Sequence, residues 1–84
     1  MNSRHATTLA AIFQQPAPAN MDWAAIEALL LAVGCDVIEG RGSRVRFVKA
    51  GLIETFHRPH PAKEAKRYQV RAARAYLIRL GVTP

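Results

Sequence analysis

Cysteine is nearly absent: Cys35 stands alone in 84 residues, so no internal disulfide can form and a single thiol cannot build a zinc site. Long apolar runs are missing as well, since the longest, Ala28 to Val33, falls far short of the ~20 residues a membrane span needs. At the amino end Arg4 and His5 lead into only about eight mostly small residues, too little for the apolar centre of a secretory leader. A membrane protein, a secreted disulfide scaffold and a zinc finger are therefore not expected, and the expected compartment is the cytoplasm. Acids are scarce too, with 6 Asp+Glu against 12 Lys+Arg, and no internal repeat or low-complexity tract breaks the chain.

What is present supports one small folded domain. Half the residues are apolar, enough for a compact core, and a chain of this length buries roughly 60% of its unfolded surface. The positive charge is unevenly placed. Residues 1–40 contain only Arg4 as a cation against Asp22, Glu27, Asp36 and Glu39, whereas residues 41–84 hold eleven of the 12 basic side chains and only Glu54 and Glu64 as acids. Such segregation exceeds what solubility requires and points to a polyanionic partner, of which nucleic acid is the commonest.

Ser3 to Phe13 reads as a short helix with Leu9, Ile12 and Phe13 on one side, followed by a proline linker that contains Pro16 and Pro18. Residues 1–20 are therefore expected to be an appendage to a main domain spanning 21–84, one that docks on that domain or helps bind a partner. Asp22 is placed to cap the next helix through its carboxylate, with Met21 and Ile26 as a hydrophobic staple. Ile26, Leu29, Leu30 and Val33 follow at helical spacing, and Gly34 ends the helix. The period then changes to that of strands: 35–39, 43–49 and 52–57, separated by Gly40-Arg41-Gly42 and Ala50-Gly51 turns. In the middle strand Val45 and Phe47 share one face and Arg44 and Arg46 the other, as expected for a sheet with one face on helices and one in water. Pro59 and Pro61 interrupt regular structure, and a final helix starting at about Ala62 or Lys66 runs to Leu80 on a Val70, Ala73, Leu77 and Leu80 stripe. The order predicts a two-layer α+β domain: helix, three-stranded antiparallel sheet, helix, behind an extra N-terminal helix.

The candidate phosphate contacts are Arg44 and Arg46 on the open sheet face, Arg58 in the loop, and Lys63, Lys66, Arg67, Arg71 and Arg74 on or before the last helix. Arg67, Arg71 and Arg74 recur at i, i+4 and i+7, which predicts one exposed stripe. Phe56 and Tyr68 lie near this patch, and both are assigned to the core in preference to base stacking. His57 and His60 flank Arg58-Pro59 within the basic stretch. Imidazoles there could deprotonate a ribose 2′-hydroxyl while an acid or cation stabilises the phosphorane and the leaving group. The competing reading of each is a surface histidine held by a turn. His5 is assigned no role, Ser43 has no relay partner, and Cys35 is read as a buried small apolar residue. No carboxylate or cysteine stands at ligand spacing beside the histidines, so no metal and no cofactor are expected.

The helix ending Leu31-Ala-Val-Gly34, the Gly42-Ser43-x-x-x-Phe47 strand start, the Pro59-His60-Pro61-x-Lys63-Glu64 loop and the Val70 to Leu80 helix before Gly81 form an ordered set. Over Trp23 to Gly81 this set resembles the HicA toxins of bacterial toxin–antitoxin pairs. The resemblance implies a double-stranded-RNA-binding-domain-like fold, an mRNA-cleaving toxin that blocks translation, and neutralisation by a HicB antitoxin. It also implies a catalytic histidine in a Gly-Ser-His stretch, and here the sequence departs from the family. The corresponding position is Arg44, or Val45 if the histidine lies one later. Arginine, with a pKa above ~12, is a poor general base. His60 matches the family's His-Pro and His57 is additional.

The expectation is a metal-independent endoribonuclease using His57 or His60. An RNA- or antitoxin-binding module without catalysis is the alternative, and a DNA-binding regulator of its own operon is a third reading.

Overall fold

A computed structural model describes residues 1–84. The helices are α1 (Ser3–Ile12), α2 (Trp23–Ala32) and α3 (Arg67–Arg79), and the strands β1 (Asp36–Glu39), β2 (Arg44–Lys49) and β3 (Leu52–His57) lie between α2 and α3. The strands form an antiparallel meander in the order β1-β2-β3. This is the expected α+β architecture, three helices with a three-stranded antiparallel sheet, consistent with the double-stranded-RNA-binding-domain-like fold. No helix is long and apolar enough to cross a membrane.

Alternation sorts the sheet into two faces. Val45, Phe47 and Phe56 are buried against the helices, while Arg44, Arg46, Ile53, Thr55 and His57 point away from them and are exposed. The β2–β3 turn is tight because Ala50 and Gly51 both take positive φ, 52° and 77°, matching the twist of the flanking strands. Under the sheet, Phe56 packs 5.1 Å from Trp23 and 5.9 Å from Phe47, centroid to centroid, in tilted and edge-on geometries favoured by the ring quadrupoles. Buried Tyr76 on α3 places its hydroxyl 2.9 Å from Leu52 O and 3.1 Å from Phe47 O, so one phenol tethers the helix to both strands of the hairpin. Burial pushes the pKa of that phenol up to about 12. Cys35 is buried beside it, as expected of a small apolar residue, with its sulfur 3.8 Å from the phenol oxygen.

Two expectations need correction. The first concerns Asp22, which has the extended backbone of an N-cap but makes no side-chain capping bond. The preceding segment instead pairs with the loop before α3: Trp23 N donates to Lys63 O at 2.9 Å and Ala65 N to Met21 O at 2.7 Å. The loop carbonyl thus takes the amide at the start of α2 that no side chain accepts. The second concerns residues 1–20, which dock on the domain, one of the two roles expected of them, and do so as part of its core. Leu9, Ile12 and Ala17 are buried in the same core cluster as Trp23 and Leu77. The prolines turn the chain so that α1 lies against α2 and α3.

Gly34 closes α2 at φ +104°, a conformation that side chains rarely adopt. Lys49 crosses close by, its ammonium donating to Val33 O at the carbonyl end of α2, where a cation also meets the helix dipole favourably.

Candidate nucleic-acid interface and histidine hollow

The register fixes the centre of the site. Arg44 on β2 pairs with His57 on β3, and Arg46 with Thr55. Arg58 N donates to Ser43 O at 2.9 Å, which makes Arg44 and His57 a non-hydrogen-bonded pair, the position at which cross-strand side chains stand closest. Both project from the open face. Val45, the other position at which the family histidine could fall, is fully buried, so the exposed counterpart on this face is Arg44.

Beyond β3 the chain turns through Pro59-His60-Pro61 and reaches α3. Gln69, buried at the start of α3, accepts from Lys66 N at 3.0 Å and donates to His57 O at 2.7 Å. One amide side chain therefore closes the first turn of the helix and fixes the end of β3 against it. A hollow of about 270 Å³ opens at this junction, lined by both His57 and His60 together with Glu64, Lys66 and Tyr68. The sequence placed the two imidazoles near each other only by separation along the chain, and the fold brings them to one cavity. A second cleft, about 390 Å³, lies across the same loop between His60, Lys63 and the start of α2.

The basic residues divide by what they touch. Arg44 and Arg46 on the sheet, Lys63 and Lys66 in the loop, and Arg67 and Arg71 on α3 are exposed and make no ion pair. Arg58 and Arg74 differ from this set. The Arg58 guanidinium donates to both oxygens of Glu27 at 3.0 Å each, and to both oxygens of Glu39 at 2.6 and 2.8 Å. Being next to His57 in an alternating chain, it turns to the helix side of the sheet end and bridges α2 to β1. Two carboxylates already neutralise it, so it is not an available phosphate ligand. Hydrogen bonding to Arg58 holds the Glu27 and Glu39 carboxyls below their usual range, and the two acids raise the guanidinium pKa further. Arg74 leaves the predicted exposed stripe: its guanidinium donates to Ile12 O at 3.0 Å and Gln14 O at 2.9 Å, satisfying carbonyls at the end of α1.

Of the two aromatic residues assigned to the core, Phe56 is buried there and Tyr68 is not. Tyr68 is 56% exposed on the rim of the histidine hollow. Its helical phase carried the signal: at 100° per residue it lies about 200° from Val70, on the side away from the apolar stripe. Arg41, in the β1–β2 turn at the His57 end of the sheet, is a further exposed cation that the sequence pattern did not single out. No three His, Cys, Asp or Glu side chains come together to form a group that could hold a metal ion.

Comparison with known proteins matches residues 23–82 to the family described as HicA toxin of bacterial toxin-antitoxin. No curated protein and no solved structure matches the chain. The matched segment runs from the first residue of α2 to just past α3, taking in the whole sheet, the histidine hollow and the Arg44–His57 pair. The chain belongs to the HicA toxin family and is the toxin of a toxin–antitoxin pair.

Proposed function

We propose that this toxin is an endoribonuclease that cuts mRNA and so blocks translation, with His57 as the general base. The observation that carries the reading is the cross-strand pairing of His57 with Arg44. Of the two positions at which the family's histidine could fall, Arg44 is the exposed one, and the neighbouring strand returns an imidazole to the same patch of the open face. His57 would take the proton of a ribose 2′-hydroxyl, and the freed oxygen would attack the adjacent phosphorus. Arg44 would stabilise the phosphorane charge, and His60 would protonate the departing 5′-oxygen, leaving a 2′,3′-cyclic phosphate and a 5′-hydroxyl. The base is assigned to His57 because a strand holds a side chain more rigidly than a loop does.

Arg44, Arg46, Lys63, Lys66, Arg67 and Arg71 supply phosphate contacts in this reading, and Arg58 and Arg74 are left out because the fold already uses them. The neutralising partner is a HicB-type antitoxin with acidic character, since charge complementarity favours masking such a surface. The reaction takes place in the cytoplasm and uses no metal.

Incubation of the purified chain with end-labelled RNA tests the proposal. Cleavage by the parent that survives EDTA, yields cyclic-phosphate ends and is lost in His57→Ala supports it. If His57→Ala and His60→Ala both still arrest growth and cut RNA like the parent, the assignment fails. The second reading, an RNA- or antitoxin-binding module without catalysis, is favoured by Arg44 itself, because a guanidinium cannot serve as the base. It predicts an RNA mobility shift with the RNA left whole.

A further inference from the structure

Tyr68 is the one large aromatic side chain of this fold that the core does not use. Trp23, Phe47 and Phe56 pack on each other and Tyr76 is fully buried, but the Tyr68 ring stacks on none of them and is 56% exposed. It sits in the first turn of α3, beside residues to which the proposed function assigns RNA contacts, with Glu64 as the one acid in the same hollow. His57 and His60 line the same hollow, Lys66 borders it, and Arg71 follows Tyr68 at i+3 on the helix. Gln69 is anchored at both ends of its amide, so the helix start that carries the ring is held against β3.

We infer that Tyr68 is a stacking platform for an unpaired nucleobase, and that the RNA taken by this site is single-stranded. The inference rests on the ribonuclease reading only for the identity of the ligand. A phenol ring presents a π-face to any base, and the cations beside it hold the flanking phosphates. The hollow, about 270 Å³, lies below the size range of pockets for drug-sized ligands and has room for one splayed base. Paired bases stay stacked inside an A-form helix whose deep major groove side chains cannot read, so a lone ring in a hollow has nothing to stack on in a duplex. The resemblance to duplex-binding domains therefore does not extend to the strandedness of the substrate.

The test uses the full chain and a short 2′-O-methyl oligonucleotide carrying 2-aminopurine, which the protein cannot cut and whose fluorescence falls when the base stacks. The parent should quench this probe and prefer it to the same sequence in a duplex. Tyr68→Ala should weaken binding about tenfold and abolish the quenching, and on natural RNA it should raise KM more than it lowers kcat. Tyr68→Phe should behave as the parent, and both variants should melt at the parental temperature because the ring is exposed. Equal affinity and equal quenching in Tyr68→Ala, or a parental preference for duplex, would overturn the inference. Quenching by a parent that never cuts natural RNA supports the platform while removing the nuclease reading. Cleavage by Tyr68→Ala with parental KM removes the platform and leaves the nuclease reading standing.

Discussion

Arg44 and His57 face each other across β2 and β3 as a non-hydrogen-bonded pair on the open side of the sheet. At such positions Cβ atoms are about 4.5–5.5 Å apart, within the reach over which one side chain can stand in for another. His57→Ala should lower RNA cleavage by about 100-fold or more, the scale of a lost general base, with little change in RNA affinity. Adding Arg44→His to that variant places an imidazole at the exposed one of the two positions at which the family's histidine could fall, and should make it faster than the Arg44→Ala, His57→Ala control, which also lacks the Arg44 guanidinium. An Arg44→His, His57→Ala variant no faster than the Arg44→Ala, His57→Ala control would mean that the two positions do not address the same phosphate. Initial cleavage rates at saturating RNA decide it.

Arg67 and Arg71 are exposed and unpaired, whereas Arg58 and Arg74 are held by groups of the fold. Replacing Arg67 and Arg71 together should weaken RNA binding and reduce the slope of log K against log salt by about 0.7 to 0.9 for each phosphate no longer neutralised. Arg58→Met or Arg74→Ala should leave that slope unchanged while lowering stability. An unchanged slope in the Arg67/Arg71 variant would remove α3 from the interface.

Period and punctuation made most of the fold legible. Val45 and Phe47 alternate with Arg44 and Arg46, which fixes the faces of β2, and Gly34 and Gly81 mark helix ends. Partners distant in sequence were not legible. Arg58 reaches acids 31 and 19 residues away, and Arg74 reaches a carbonyl 62 residues away. No local pattern separates such arginines from free ones. The place of α1 was hidden for a related reason: Pro16 and Pro18 read as a separator, yet a helix with an apolar side must bury it somewhere, and the nearest place is the back of α2 and α3. Within the site, the His57–His60 pairing could be guessed from adjacency. The pairing of His57 with Arg44 required the register, and Tyr68 required attention to helical phase.

The Arg58 network makes stability depend on acid pH. Hydrogen bonding to Arg58 is the main cause that lowers the Glu27 carboxyl from its ordinary 4.5, with burial opposing and Trp23 helping, and Glu39 is lowered first by the same guanidinium. With the folded values depressed, the unfolded chain takes up protons first as pH falls. The contribution is therefore complete at neutral pH, begins to fade near pH 4.5, and is gone once pH has dropped through the folded values. Arg58→Met should lower stability at pH 7, chiefly by losing the partly buried Glu27 contact. In urea titrations from pH 7 to 3 the gap between parent and variant should shrink below pH 4.5. A gap that stays constant would show that Arg58 acts through packing alone.

The α1 helix lies outside the segment that matches the family, which begins at Trp23, yet Ile12 is completely buried and Leu9 nearly so. Ile12→Ala should therefore cost about 2–5 kcal/mol, the range for a core isoleucine whose cavity cannot fully collapse. In a domain of this size each kcal/mol shifts Tm by about 4–8 °C, so the loss is readily seen by calorimetry. Arg74→Ala removes the bonds to Ile12 O and Gln14 O and should cost about 0.5–1.5 kcal/mol. If α1 were only tethered, both variants would melt like the parent. If it is part of the core, as its burial requires, Ile12→Ala will melt well below Arg74→Ala, and both will bind RNA with the parental salt slope wherever they remain folded.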